Sequence, residues 1–163
     1  MKQAVKRLTA TALIALALLY LAGCVSPGAG KAVGTAHLAI RCDRALTWED
    51  LPDGLRDVLP EDGVIGDGQV TVYEGDTVFT LLERFCREHD VAMSSTGATR
   101  YGVYVDGIGG LFERDAGSGS GWMYAVNGEF LNKSAGDAAV KDGDDVLWVY
   151  TLDLGKDVEG HAS

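Results

Sequence analysis

Apolar and polar residues alternate with period 2 in two segments near the C-terminal end of the chain, residues 120–128 and 142–151. This period predicts two short strands, each entered through a turn rich in Gly, Ser or Asp. Side chains of one parity share a face, and the large aromatic ones among them are Trp122, Tyr124, Trp148 and Tyr150. Pairing of the two strands would therefore give one aliphatic face and one face with four rings, which we call the aromatic face.

The remaining patterned segments predict a mixed α+β fold. Residues 35–42, 69–73 and 101–105 read as further strands, and residues 48–59 hold at most a short helix. The clearest helix has apolar residues at i, i+3, i+4 and i+7, with Asp76 as its predicted N-cap and an end near His89. The element order is thus strand, strand, helix and three strands.

The amino-acid motifs in these segments resemble those of a known family. Its motifs are Ser-Gly-Trp-Met-Tyr-x-Val-Asn-Gly at 120–128, Lys-Asp-Gly-Asp at 141–144 and Trp-Val-Tyr-Thr at 148–151, with Glu-Gly-Asp-Thr-Val-Phe at 74–79 and Tyr-Gly-Val-Tyr-Val-Asp-Gly-Ile at 101–108 upstream. Residues 35–155 are similar to the transcobalamin-like C-terminal domain of bacterial surface proteins. The resemblance implies a β-grasp-like mixed sheet packed on one main helix, and cobalamin or another corrinoid as the candidate ligand.

The start of the chain is typical of an export signal. A basic start, an apolar run from Leu8 to Leu19 and Leu-Ala-Gly-Cys at 21–24 predict a lipoprotein signal peptide over residues 1–23. Cys24 would then carry the lipid that holds the protein to the bacterial membrane from outside the cytoplasm. The Pro-, Gly- and Ala-rich residues 24–34 are predicted to be a flexible tether, and residues 156–163 a tail.

The chain is strongly acidic, with a formal net charge of −10 at pH 7. Nucleic-acid binding depends on neutralising phosphates with Lys and Arg, so this charge excludes nucleic acid as a partner. The charge is consistent with solubility at an envelope surface and implies no partner by itself.

Two cysteines remain for the folded part once Cys24 is assigned to lipidation. Cys42 lies on the apolar side of the first predicted strand, and Cys86 on the apolar side of the predicted helix. Core-facing cysteines in an exported domain predict a Cys42–Cys86 disulfide, while two buried free thiols are the alternative.

Catalytic and metal-binding patterns do not emerge from the sequence. The Gly-Ser-Gly-Ser-Gly segment at 117–121 lacks the Gly-Lys-Ser/Thr of a phosphate-binding loop and the central Ser of a nucleophile elbow. Three histidines have no ligand-like or triad-like spacing, and the Asp residues at 142–145 lack the pattern of an EF-hand. We therefore expect a non-enzyme that requires no cofactor and holds no metal.

The predicted ligand site is the aromatic face, placed away from the helix with the 117–121 loop at its edge. Its candidate ligand-binding residues are Trp122, Tyr124, Trp148 and Tyr150, with Asn127, Ser120 and Gly121 as polar and backbone contacts. Three interpretations remain: capture of a corrinoid with a separate envelope partner supplying a second half-site, docking of a protein or glycan, or a structural face covered by residues 43–68 or by the tail.

Overall fold

A computed structural model describes residues 30–99 and 102–158. The predicted signal peptide, Cys24 and most of the predicted tether precede this range, and Tyr101 and residues 159–163 also lie outside it. Within the described residues, no helix is long and apolar enough to cross a bilayer.

A five-stranded mixed sheet carries the fold. Its strands are β1 (Ala32–Arg41), β2 (Val64–Tyr73), β6 (Gly121–Val126), β7 (Glu129–Phe130) and β8 (Asp145–Thr151), in the order β2-β1-β8-β6-β7. β1 runs parallel to β8, and every other neighbouring pair is antiparallel. The predicted α+β class is therefore confirmed.

Three helices accompany the sheet in the described residues: α1 (Asp43–Leu46), α2 (Asp53–Arg56) and α3 (Val78–Glu88). The apolar residues of α3 are buried against the sheet. Among them, the ring of Phe85 lies on β2 at Gly66, where an added Cβ would come within 2.5 Å of the ring. The N-cap is Thr77 rather than the predicted Asp76, because the Thr77 and Thr80 side chains bond each other's backbone amides in a capping box.

A second, three-stranded antiparallel sheet was not predicted as such. It consists of β3 (Met93–Thr99), β4 (Gly102–Ile108) and β5 (Leu111–Phe112). β4 extends the predicted strand at 101–105, whereas β3 is rich in Ser, Thr and Gly and has no apolar alternation to signal a strand.

The aromatic face lies on the same side of the large sheet as α3, which contradicts the predicted placement away from the helix. The strand register shows this, because Trp148 pairs with Ile40 and Ile40 pairs with Gly66, the residue against which Phe85 packs. In-register neighbours share a face. Helix and aromatic rings therefore belong to one continuous core.

The borders of the folded region differ from the predicted ones at both ends. Residues 32–34, predicted as tether, pair with β2, and the Glu74 amide donates to the Lys31 carbonyl over 2.9 Å. At the other end, the Asp157 carboxylate accepts from the Leu152 amide over 2.9 Å, and Val158 is buried. The predicted tail thus begins too early, since its first residues pack against the domain.

The predicted Cys42–Cys86 disulfide is not formed. Both residues are buried and both thiols are free. Burial raises the thiol pKa of each to about 11, so they are protonated and unreactive at neutral pH. Apolar periodicity places a side chain in the core, but it does not align two Cβ vectors as a disulfide requires.

His37 links three strands on the exposed face of the large sheet. Its Nδ1 lies 2.9 Å from Asp145 Oδ1 and its Nε2 lies 3.1 Å from Asp67 Oδ1. The hydrogen bonds to Asp145 and then Asp67 raise the His37 pKa above its usual 6.5. The folded state therefore favours the imidazolium, which can donate to both carboxylates.

We expect His37→Gln to weaken the fold only at acidic and neutral pH. The stabilisation is fully present below the unfolded pKa of about 6.5 and is lost as the pH rises through the higher folded pKa. All three side chains are partly exposed, so the effect should stay below about 1 kcal/mol. Thermal melts of the variant and the wild type at about pH 5.5 and pH 9 test this, and equal differences at both pH values would contradict it.

Candidate functional site

The four rings of the aromatic face are buried rather than exposed. Trp122 and Tyr124 are each 8% exposed, Trp148 is 2% exposed and Tyr150 is fully buried. Trp122 packs edge-on against Tyr150 with centroids 5.2 Å apart, and Tyr124 packs against Trp148 at 5.4 Å. Both are directly opposed cross-strand pairs of β6 and β8.

The rings are held by the segments that cover them. Trp122 Nε1 donates to the Leu111 carbonyl over 2.9 Å, and Tyr150 Oη donates to the Phe112 carbonyl over 2.7 Å. Tyr124 Oη donates to the Lys133 carbonyl over 2.7 Å. The cover at these contacts thus comes from β5 and the segment after β7, and not from residues 43–68 or the tail, which the structural interpretation proposed.

The polar residues of the predicted site stabilise turns. Ser120 is buried, with Oγ 2.8 Å from Tyr150 Oη and within bonding distance of the Gly117 carbonyl. The Asn127 amide group donates to Asp144 and accepts from the Asp145 amide, each over 2.9 Å. Asn127 follows the end of β6 that is opposite Gly121, so the structure does not bring it together with Ser120 and Gly121.

An open cavity lies beside the aromatic rings, along the edge of β6 that faces away from β8. Among the described residues, β7 pairs with this edge only at Ala125 and Val126, so no strand pairs with it over Gly121–Tyr124. Its volume is about 610 Å³, within the range of small-molecule sites. We call it the edge cavity, and it is lined by Thr96, Gly102, Val103, Tyr104, Val105, Glu113, Arg114, Trp122, Met123, Tyr124, Leu131, Lys133, Ser134, Ala135 and Trp148.

A second cavity of about 340 Å³ continues along the same edge of β6. It includes the predicted residues Ser120 and Gly121 in its lining. The residues that it shares with the edge cavity are Tyr104, Glu113, Arg114, Trp122 and Met123. The two cavities therefore form one groove between β4 and β6.

Tyr104 and Glu113 form the polar junction between the two cavities. Tyr104 Oη donates a hydrogen bond to the Glu113 carboxylate. Partial burial and then this hydrogen bond raise the Tyr104 pKa to about 12, so the phenol keeps its proton at neutral pH. This pair places a hydrogen-bonded phenol and carboxyl group at the mouth of the groove.

The cavity is bordered by positive charge in an acidic protein. Arg114 and Lys133 are exposed at its mouth, and Arg114 has a φ of +69°, a backbone region that non-glycine residues seldom adopt. Such strain often accompanies functional positions. The sequence pattern gave no signal for either residue, because the loop that carries Arg114 has no periodicity.

No cluster of His, Cys, Asp or Glu in the described part of the chain could hold a metal ion. The acidic turn before β8 binds the protein's own groups instead. Asp142 Oδ1 accepts from the Thr35 amide over 2.9 Å, and Asp144 Oδ2 accepts from the Lys141 amide over 2.8 Å.

Comparison with known proteins agrees with the family resemblance. Residues 75–151 match the family model described as "Domain of unknown function (DUF4430)". No curated protein matches the sequence.

Two solved structures resemble this chain to different degrees, and the first of them shares its fold. One is haptocorrin in complex with Cbi, with 17% identity and a TM-score of 0.52, over 79% of this chain and 28% of the haptocorrin chain. The other, a Ruminococcus gnavus protein described as a "putative metal binding protein", has 13% identity and a TM-score of 0.44, over 72% of this chain and 96% of its own. This chain thus spans just over a quarter of the haptocorrin chain.

The family match covers the helix α3 and the strands that form the groove, and the haptocorrin likeness extends over the fold as a whole. Residues 75–151 therefore match the DUF4430 family model, and the fold that the chain shares with haptocorrin is consistent with a transcobalamin-like C-terminal domain.

Proposed function

We propose that the chain is a non-enzymatic ligand-binding module of the bacterial cell envelope, with cobalamin or another corrinoid as its candidate ligand. The observation that carries the proposal is the edge cavity, which combines aromatic and aliphatic walls with a few polar groups at its mouth. The domain belongs to a fold shared with haptocorrin, whose structure contains Cbi. The sheet order β2-β1-β8-β6 with a central parallel pair supports the β-grasp-like description.

The proposed ligand site differs from the aromatic face inferred from the sequence. Trp122, Tyr124 and Trp148 contribute only the parts of their rings that reach the groove, since all three are almost fully buried. Tyr104, Met123 and Leu131 are more exposed and would supply most of the contact. A ligand would therefore enter beside the rings rather than lie flat upon them.

A separate envelope partner would complete the site. A corrinoid is larger than a 610 Å³ cavity, so this chain would enclose only part of it. One-sided contact leaves little free energy after the cost of association, and we expect a dissociation constant on the order of micromolar for the isolated chain. We propose that the partner covers the remaining surface of the ligand.

Titration of the purified protein with cyanocobalamin by calorimetry tests the proposal. Thr96 is exposed on β3 and lines the cavity, so Thr96→Trp should fill the entrance and abolish binding. The neighbouring Ser95 is exposed outside the cavity lining, so Ser95→Trp is the matched control and should bind normally. A wild-type protein that binds neither cyanocobalamin nor hydroxocobalamin would refute the corrinoid proposal.

A second candidate function is docking of an extended peptide from an envelope protein. It is favoured by the edge of β6 at Gly121–Tyr124, which in the described part of the chain has a groove instead of a strand beside it. Such an edge can accept a strand from a partner. Protection of β6 amides from hydrogen exchange by a bound envelope protein, with no response to cobalamins, would favour this function.

Lipid anchoring places the module at the membrane in this proposal. The motivation is the basic start, apolar run and Leu-Ala-Gly-Cys of residues 1–24. We expect Cys24→Ala to accumulate as unprocessed precursor and the wild type to incorporate a palmitate analogue. A wild-type protein that is released without label would contradict the anchor.

A further inference from the structure

The polar groups of the four buried rings differ in whether they have a hydrogen-bond partner. Trp122 Nε1, Tyr124 Oη and Tyr150 Oη each donate to a main-chain carbonyl within 2.9 Å. Trp148 Nε1 is buried and has no hydrogen-bond partner in the described structure. Trp148 is therefore the one member of this ring cluster whose donor is unused.

An unused buried donor is unfavourable and uncommon in folded proteins. Trp148 is 2% exposed, so bulk water does not satisfy the group. The same residue is part of the lining of the edge cavity, next to its cross-strand neighbour Tyr124. The Nε1 atom itself has almost no exposed surface, so a ligand in the cavity supplies the missing partner when the side chains over Nε1 move on binding.

The chemistry of the group specifies what the partner must be. An indole N–H is a donor only, so it pairs with an acceptor oxygen such as that of an amide, a carboxylate or a phosphate. Arg114 and Lys133 at the same cavity are also donors and carry positive charge. All three favour a ligand whose apolar body carries oxygen acceptors at its edge.

We infer that Trp148 is the polar anchor of the edge cavity and that its indole N–H donates a hydrogen bond to an acceptor oxygen of the bound ligand. The inference rests on the proposed function, since it concerns the same cavity. The inference adds a requirement beyond the class of ligand. A ligand must place an oxygen acceptor at Trp148, so an apolar ligand without such an acceptor would bind poorly.

Calorimetric titration with cyanocobalamin, whose periphery carries amide oxygens, tests separately whether the ligand binds and whether Trp148 donates a hydrogen bond to it. Trp148→Phe keeps an aromatic ring but removes the donor, and we expect binding to weaken about tenfold, the size of one net hydrogen bond. Trp48→Phe is the matched control, because Trp48 packs against the core outside the cavity lining, and its affinity should equal that of the wild type.

Indole N–H resonances of the ¹⁵N-labelled wild type provide a second measurement that does not depend on the folding of a variant. On saturation with cyanocobalamin, the Trp148 indole proton should shift downfield and its temperature dependence should fall, as a new hydrogen bond requires. Unchanged affinity of Trp148→Phe, or an unmoved Trp148 resonance in a wild type that binds, overturns the anchor while leaving the proposed function standing. A wild type that does not bind overturns both.

Discussion

Replacing Trp122 by alanine should destabilise the domain by about 3–5 kcal/mol, the typical loss for a buried Trp or Phe. The ring is 8% exposed, packs edge-on against Tyr150, and its Nε1 donates to the Leu111 carbonyl. Truncation would leave a void between the two sheets and remove the hydrogen bond to the Leu111 carbonyl. Denaturant unfolding followed by circular dichroism measures the loss.

Val58→Ala is the control for this substitution, because Val58 is 65% exposed. Its change in unfolding free energy should stay within about 0.5 kcal/mol. If Trp122→Ala unfolds at the same denaturant concentration as the wild type, the ring is not part of the core, and the aromatic face would again be the candidate binding surface.

Asp76→Ala should cost about 3 kcal/mol of stability, because it leaves a nearly buried guanidinium without its carboxylate. Arg84 donates to both Asp76 oxygens over 2.8 Å, and the Tyr73 amide donates to Asp76 Oδ2 over 2.8 Å. These bonds tie α3 to the end of β2. Urea unfolding at neutral pH gives the difference in free energy.

The control is Asp153→Ala, since the Asp153–Lys156 pair is exposed and such pairs contribute about 0–1 kcal/mol. Burial alone would raise the Asp76 pKa, but the bonds from Arg84 and Tyr73 outweigh burial and lower it. The stabilisation is therefore present above the unfolded pKa of about 3.9 and is lost as the pH falls through the folded pKa. Equal losses for the two variants would contradict the role of Asp76.

The strongly patterned elements were predictable from the sequence. β1, β6, β8 and α3 have apolar residues at strand or helix period, and each occurs close to its predicted position. β3 could not be found in this way, because its polar residues carry no period. β5 and β7 are two residues long, too short for any period to be visible.

The placement of the aromatic face failed for a different reason. Alternation correctly grouped Trp122 with Tyr124 and Trp148 with Tyr150, but it does not say which side of a sheet another element covers. That side is decided by the parallel pairing of β1 with β8, a contact between residues more than one hundred positions apart. The edge cavity was equally hidden, since Thr96, Tyr104 and Lys133 meet only through the arrangement of two sheets.

Methyl-resolved NMR of the protein during titration with cyanocobalamin tests most directly whether the edge cavity is the ligand site. We expect shifts of the Met123 and Leu131 methyl groups, which belong to residues that line that cavity. The Leu147 methyl groups belong to the lining of a separate cavity of about 260 Å³ and should remain unchanged. Shifts at Leu147 with none at Met123 and Leu131, or no shifts at all, would contradict the assignment of the edge cavity as the ligand site.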